Sequence, residues 1–297
     1  DPAMRNRPSL VVQALLASCL FAAPSLRAQQ GEASEVEAFA VIKAEYDAAY
    51  QQWLDTYREV ASSGADKDVI SKLRAERPSG TAYLDRVVKI LNAKPASEDG
   101  ASAAIWMLGV VRVKGAQLGS ALDVLQKHHA DSKQLKRVML SLSRNATPAV
   151  GVFLEKVSAT STSSEIRGRT SFALAEHFKT RANTIRAIAM ADGKKLARLV
   201  GTLGSDVVDV LRGEDPVAAE DQSAKWFEAV INDAEFAAVE YFRDTLGEHA
   251  ERSLYELRYL SIGKVAPDIV GEDIDGTAMK LSDYRGKVVV IDFWGDW

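Results

Sequence analysis

The feature that most constrains this chain is a helical period running from about Ser34 to Leu260. Phe39, Ile42, Tyr46, Tyr50, Trp53, Tyr57 and Val60 recur at steps of three and four. On a helix they form one apolar stripe, with Glu, Lys, Asp and Arg on the remaining faces. Such a stripe usually seals a helix against a neighbour. Its aromatic content also suits a ligand groove, and the seam is the simpler expectation. Loop signals then divide the period: "RPSG" at 77–80, "AKPASEDG", "HHADS", "NATP" and "ATSTSS". Ser132 before Lys133 and Ser164 before Glu165 are the expected N-caps. Helix, short loop, helix at about 30–40 residues per pair is the pattern of stacked α-hairpins. No repeat consensus runs through them, and the breakers come too often for a coiled coil. Farther along, Trp226, Phe227, Val230, Phe236 and Phe242 are the expected core.

Composition agrees with a folded chain. Of 297 residues, 47% are apolar and 26% charged, which excludes a largely disordered polymer. A net charge of −4 with a pI near 5.7 argues against a nucleic-acid or anionic-membrane surface, either of which needs a basic face. Four histidines occur. His128 and His129 are adjacent and expected near a helix end, where they favour the dipole; His177 and His249 stand alone, without metal-ligand spacing. No cofactor or metal is implied.

The beginning reads as an export leader. Met4 opens a segment with Arg5 and Arg7, an apolar run from Leu10 to Ala23 and a small residue at Ala28, the build of a signal peptide over residues 1–28. Residues 1–3 read as a cloning remnant or an over-extended frame. The apolar run, at about 14 residues, is short of the ~20 that a membrane span needs. Cleavage after Ala28 leaves 34 basic against 40 acidic residues, a net charge of −6. Cys19, the sole cysteine, lies in this leader. "LASC" resembles a lipoprotein cleavage box, so the alternative is lipidation at Cys19. Either way, the expected contact with a membrane is through the leader or that lipid. The expected location is extracytoplasmic, periplasmic in a bacterium, and the mature chain carries no thiol for disulfides or thiol catalysis.

After Leu260 the texture changes. "SIGKVAPDIVGEDIDGTAMKLSDYRGKVVVIDFWGDW" reads as short strands and turns. Pro267 begins an extended segment, Asp275-Gly276 is a hairpin turn, and "TAMKLS" is the return strand. "SDYRG" is one helical turn capped by Ser282 and stopped by Gly286. From Lys287 a continuous apolar run predicts a strand covered on both faces, with neighbours on either side. Nothing downstream supplies those neighbours, so the chain looks cut. Asp273 and Asp275 look like part of a calcium loop, but Gly271 and Ser282 stand where its two anchoring acids belong.

This segment resembles the opening of a thioredoxin-like domain of the extracytoplasmic TlpA/redoxin (AhpC/TSA-related) group. The resemblance rests on Gly263, Lys264, Ala266, Pro267, Asp268, Asp275, Gly276, Leu281, Ser282, Asp283, Gly286, Lys287, Phe293, Trp294 and Trp297. Gly295-Asp296 departs from the small residue and Thr or Ser more usual there. A peroxiredoxin is the nearest relative to exclude, and Trp297 favours the Trp-Cys-x-x-Cys type over it. The period thus gives a mainly α chain, an array of helical hairpins at 29–262, and the resemblance, confined to 263–297, adds the first β-hairpin and central strand of an incomplete thioredoxin-like α/β domain. The resemblance implies that a nucleophilic cysteine follows Trp297 at a helix N-terminus, whose field stabilises the thiolate, with a second cysteine three positions on to resolve the mixed disulfide. Within the chain no catalytic residue is then expected. The active-site neighbourhood is Trp297, with Asp292 as a candidate proton acceptor or a solvated carboxylate. Phe293 and Trp294 are read as packing.

Three functions follow. The first is an exported thiol–disulfide oxidoreductase whose helical domain engages a partner, acting on exported protein thiols and disulfides or on a redox partner protein. The second is a helical scaffold with a redox-inactive thioredoxin-like module, and the third a thiol peroxidase.

Overall fold

A computed structural model describes residues 36–295. The leader, Cys19 and Trp297 lie outside the described residues. The chain is mainly helical with two small antiparallel hairpins, the class that the periodicity predicts. It divides into two compact units, one ending at His129 and one beginning at Ala130.

The first unit holds α1 (Phe39–Ser62), α2 (Lys67–Ala75), α3 (Leu84–Ala93), α4 (Glu98–Trp106) and α5 (Gly115–His128). Its core is Ile42 of α1, Val87, Ile90 and Leu91 of α3, the alanines of α4 with Met107, and Leu122 and Leu125 of α5. The three alanines Ala101, Ala103 and Ala104 let α4 lie in the middle, because small side chains allow helices to approach closely. The predicted stripe of α1 is a seam, buried at Phe39, Ile42 and Val60. Between these ends its rings are half-buried and held in a ladder. Tyr46 meets Trp106 edge-on at 5.5 Å, and Trp53 stacks on Tyr57 at 5.3 Å. Trp53 Nε1–H donates to the Leu73 carbonyl at 2.7 Å, and the Arg77 guanidinium sits 5.1 Å from the Tyr50 ring centre. Arg86 bridges Glu37 and Glu45 on either side, at 2.7 and 2.5 Å. His128 ends α5, as expected, but His129 is no dipole ornament: its Nε2 lies 2.7 Å from the Pro95 carbonyl, tying the loop before α4 to the end of α5.

The second unit is organised around α8 (Ser164–Ala189), a helix about 39 Å long at the standard rise. Before it come a 3₁₀ turn (Lys133–Arg137), α6 (Met139–Ser143) and α7 (Pro148–Thr160); after it come α9 (Gly193–Leu203), α10 (Ser205–Arg212), α11 (Pro216–Asn232), the single turn α12 (Ala234–Ala237) and α13 (Leu246–Tyr255). The first half of α8 packs against α11 and α13 through Phe172, Phe227, Val230, Leu246 and Leu254. Its second half packs Ile185 and Ile188 against Val208 and Leu211 of α10. Ser223 Oγ donates to the Ala175 carbonyl at 2.8 Å inside this packing, so the buried hydroxyl is satisfied. Between α12 and α13 runs a short hairpin of β1 (Glu240–Tyr241) and β2 (Asp244–Thr245), with Glu240 opposite Thr245.

Some of the expected caps and core positions change here. Ser132 does cap, accepting from Gln134 N at 3.2 Å. The cap of α8, however, is Ser163, accepting from Ile166 N; Ser164 is already helical, and its hydroxyl donates to Glu235 Oε2. Phe227 and Val230 are core as expected, Trp226 and Phe236 only half so, but Phe242 is 79% exposed. The reason is local: Phe242 occupies the first turn position of the β1–β2 hairpin, which aims its ring outward.

The last described segment carries the second hairpin, β3 (Val270–Glu272) with β4 (Ala278–Lys280), in register Val270 to Lys280. Its Asp-Gly turn forms as expected. Gly276 adopts φ +79°, and Asp273 Oδ1 accepts from the N–H groups of Asp275 and Thr277. The Asp273 carboxylate thus serves its own turn. A 3₁₀ turn at Leu281–Tyr284 follows, but Ser282 lies within it and does not cap it. Ser282 instead donates from N and Oγ to the two oxygens of Asp268, both at 2.8 Å. The expected strand from Lys287 is extended but unpaired among the described residues. Val288 and Val290 are 97% and 90% exposed. An apolar run of this kind becomes a buried strand only where neighbouring strands accept its hydrogen bonds, and no such strand flanks it here.

Candidate functional site

Two places carry chemistry. One is the 263–295 segment. Within it, Asp268 is the best-defined group: the Ser282 hydroxyl and N–H hold its carboxyl below the usual carboxylate range. Asp292 is exposed on the unpaired stretch, so the structure gives it a solvated position and not a buried one. Trp297 lies outside the described residues. Among the described residues, Asp292 has no hydrogen-bond or ion-pair partner. Phe293 and Trp294, read as packing, are exposed. Lys264, near the start of the segment, reaches Glu220 of α11 at 3.7 Å.

The other place was not marked by the sequence. A pocket of about 440 Å³ opens in the second unit between the 3₁₀ turn, α6, α8, the β1–β2 hairpin and α13, within the size range of small-molecule sites. Its basic members are Lys136, Arg137, Arg144 and Arg169; Glu176 is the one acidic side chain lining it. Arg169 is already engaged, donating from Nε to Glu165 Oε1 at 2.9 Å and from Nη2 to the Glu240 carbonyl at 2.8 Å. It pins the hairpin to α8. Lys136, Arg137 and Arg144 pair with no carboxylate among the described residues. Glu176 Oε1 accepts from Ser253 Oγ at 2.8 Å.

The aromatic members form a connected cluster. Tyr241 lies 5.3 Å from Phe172, 4.7 Å from Phe242 and 4.9 Å from His249 between ring centres. Burial raises the pKa of the Tyr241 phenol, assisted by Glu176, and the charges of Arg169 and then Arg144 act on it in the opposite sense. Phe242 is held at φ +57°. That left-handed conformation suits Gly or Asn and is strained for a bulky aromatic residue. Phe242 is thus an exposed aromatic side chain in a strained turn at the pocket rim, its ring edge-on to Tyr241.

Sequence reasoning missed this site because its walls are more than a hundred residues apart in the chain. The signals present were weak ones, "KQLKR" at 133–137 and "EYFRD" at 240–244. Neither suggests a pocket alone.

Comparison with known proteins bears on the first place. A 38-residue stretch is 47% identical to the thiol-disulfide oxidoreductase ResA of Geobacillus thermodenitrificans (strain NG80-2), covering 13% of this chain and 22% of that protein. It is 50% identical over 38 residues to ResA of Geobacillus kaustophilus (strain HTA426), and 47% identical to ResA of Bacillus subtilis (strain 168), where it covers 21% of the relative. The chain therefore spans about a fifth of the length of the curated relatives it matches. No family model and no solved structure matches it. The likeness supports a thioredoxin-like relationship over a short stretch. Among the described residues, no helix is long and apolar enough to cross a membrane.

Proposed function

We propose that this chain belongs to an exported thiol–disulfide oxidoreductase of the thioredoxin-like TlpA/redoxin type, whose redox cysteine pair follows the Phe293-Trp294-Gly295-Asp296-Trp297 segment. The observation that carries the reading is the local identity to the ResA oxidoreductases. It is supported by the ordered Gly-Lys-x-Ala-Pro-Asp, Asp-Gly and Leu-Ser-Asp-x-x-Gly-Lys motifs. The β3–β4 hairpin and the Asp268–Ser282 clasp give those motifs a physical role. Asp268 fixes the start of the turn before the Lys287 run, and Gly276 turns the hairpin. In this reading residues 29–262 form a helical domain that engages a partner protein, and residues 263–297 open the redox domain. The chemistry is thiolate attack on a disulfide, release by a second thiol, and no cofactor. The leader at 1–28 delivers the protein to a compartment where disulfides exchange.

The test is direct. The reading frame behind the Trp297 codon is expected to encode Cys-x-x-Cys within a few codons, and the complete gene product is expected to reduce insulin disulfides in the presence of dithiothreitol. A frame lacking the cysteine pair overturns the proposal. A second reading, a helical binding protein whose thioredoxin-like part is redox-silent, draws on the open pocket of the second unit. It predicts no insulin reduction by the complete protein.

A further inference from the structure

The second-unit pocket points to a ligand chemistry that is independent of thiol exchange. We infer that it binds an organic monocarboxylate carrying an aromatic body, with Arg137 and Arg144 taking the carboxylate and Tyr241 with Phe242 taking the ring. Three observations converge on this ligand. The chain is acidic overall, yet the pocket collects Lys136, Arg137 and Arg144 without ion-pair partners among the described residues. Three like charges brought around one cavity repel one another, and an anion relieves that repulsion. Arginine adds a planar fork that matches a carboxylate with two parallel hydrogen bonds.

The second observation is the aromatic cluster. Buried Phe172 and half-buried Tyr241 line the same cavity, and Phe242 stands exposed beside them in a left-handed turn. Ring stacking and edge contacts to such a cluster favour a flat apolar body over an aliphatic polyol or a bare inorganic anion. The third is Glu176, the acidic member of the lining, held by Ser253. It opposes a second negative charge inside the pocket and so favours a ligand charged at one end only. A free aromatic acid has this chemistry, and so has the C-terminal aromatic residue of a peptide.

The experiment uses the full chain and ligand-observed NMR titration. The probes are 3-phenylpropionate and its neutral amide, and N-acetyl-Gly-Gly-Phe as free acid and as amide. A small acid of this size is expected to bind with a Kd of about 1 mM, at least tenfold more tightly than its amide, and more weakly as salt is raised. If the peptide acid binds and 3-phenylpropionate does not, the source is a chain terminus; if the small acid binds at least as well, it is a free metabolite. Both outcomes support the site. The double variant Arg137→Glu/Arg144→Glu, at exposed positions, is expected to lose at least tenfold in affinity with an unchanged circular dichroism spectrum. Phe242→Gly, which removes the ring and relieves the turn, is expected to weaken binding severalfold without lowering the melting temperature. Equal binding of acid and amide overturns the inference. So does an affinity unmoved by the double variant or by Phe242→Gly, as does no binding of any probe up to 20-fold above the expected Kd.

Discussion

His177 shows how far one buried side chain can set the conditions under which the second unit is stable. It is fully buried. Its Nδ1–H donates to the Asn145 carbonyl at 2.7 Å, while Nε2 is buried without a partner. Gly151 makes room for it: a Cβ there would stand 2.9 Å from Nε2. Burial pulls the imidazole pKa down from 6.5 to about 4, against the smaller opposing effect of the Asn145 carbonyl. The folded chain therefore keeps His177 neutral where the unfolded chain takes a proton. The stabilisation is fully present above pH 6.5 and is lost as pH falls through 4. A shift of this size corresponds to roughly 3 kcal/mol in all. Urea unfolding between pH 7 and pH 4.5 is expected to show a steep loss for the native sequence and a flatter one for His177→Gln. Parallel curves would rule out the assignment.

At the scale of elements, α13 carries two of the pocket's side chains and begins with a reciprocal cap. Thr245 Oγ1 accepts from Glu248 N at 3.3 Å, and Glu248 Oε2 accepts from Thr245 N at 2.8 Å. Thr245→Ala removes the oxygen that accepts from the third helical N–H. It is expected to cost about 1 kcal/mol, read as a lower urea midpoint with an unchanged slope. An unchanged midpoint would mean that packing of Leu246 and Leu254 alone sets the helix start. The same element separates what was legible in the sequence from what was not. Periodicity located the helices, and the Asp-Gly pair located the β3–β4 turn, because both signals reside within a few residues. Phe242 departs from its expected place because its apolar character argues for the core, whereas it stands exposed in a two-residue turn. The run from Lys287 has a strand's pattern without a strand's neighbours, as the sequence leads one to expect. Its burial depends on partner strands, and among the described residues none flanks it. The pocket depends on α6, α8 and α13 meeting, which no stretch of sequence announces.

For the whole molecule, the decisive contrast is between the helical packing and the segment after Leu260. The helices bury continuous apolar clusters. The segment from Ile262 leaves nearly all of its apolar side chains in solvent, including Val265, Ile274 and Val288. Its hydrogen bonds are mostly its own, such as Leu281 N to the Ile269 carbonyl and Asp273 N to the Thr277 carbonyl. Local opening free energy follows buried contact, so this segment belongs to the low-stability end of the molecule, and some 35 residues of this kind cannot hold a core alone. Limited proteolysis with subtilisin is expected to cut first between residues 260 and 270, leaving a resistant helical product. Because the segment lends the helices little burial, that product is expected to melt within about 3 °C of the intact chain. First cleavage inside α8 or α11, or a much larger drop in melting temperature, would mean that the segment is integral to the helical packing. That outcome would also remove the ground for treating the thioredoxin-like stretch as the opening of a separate redox domain.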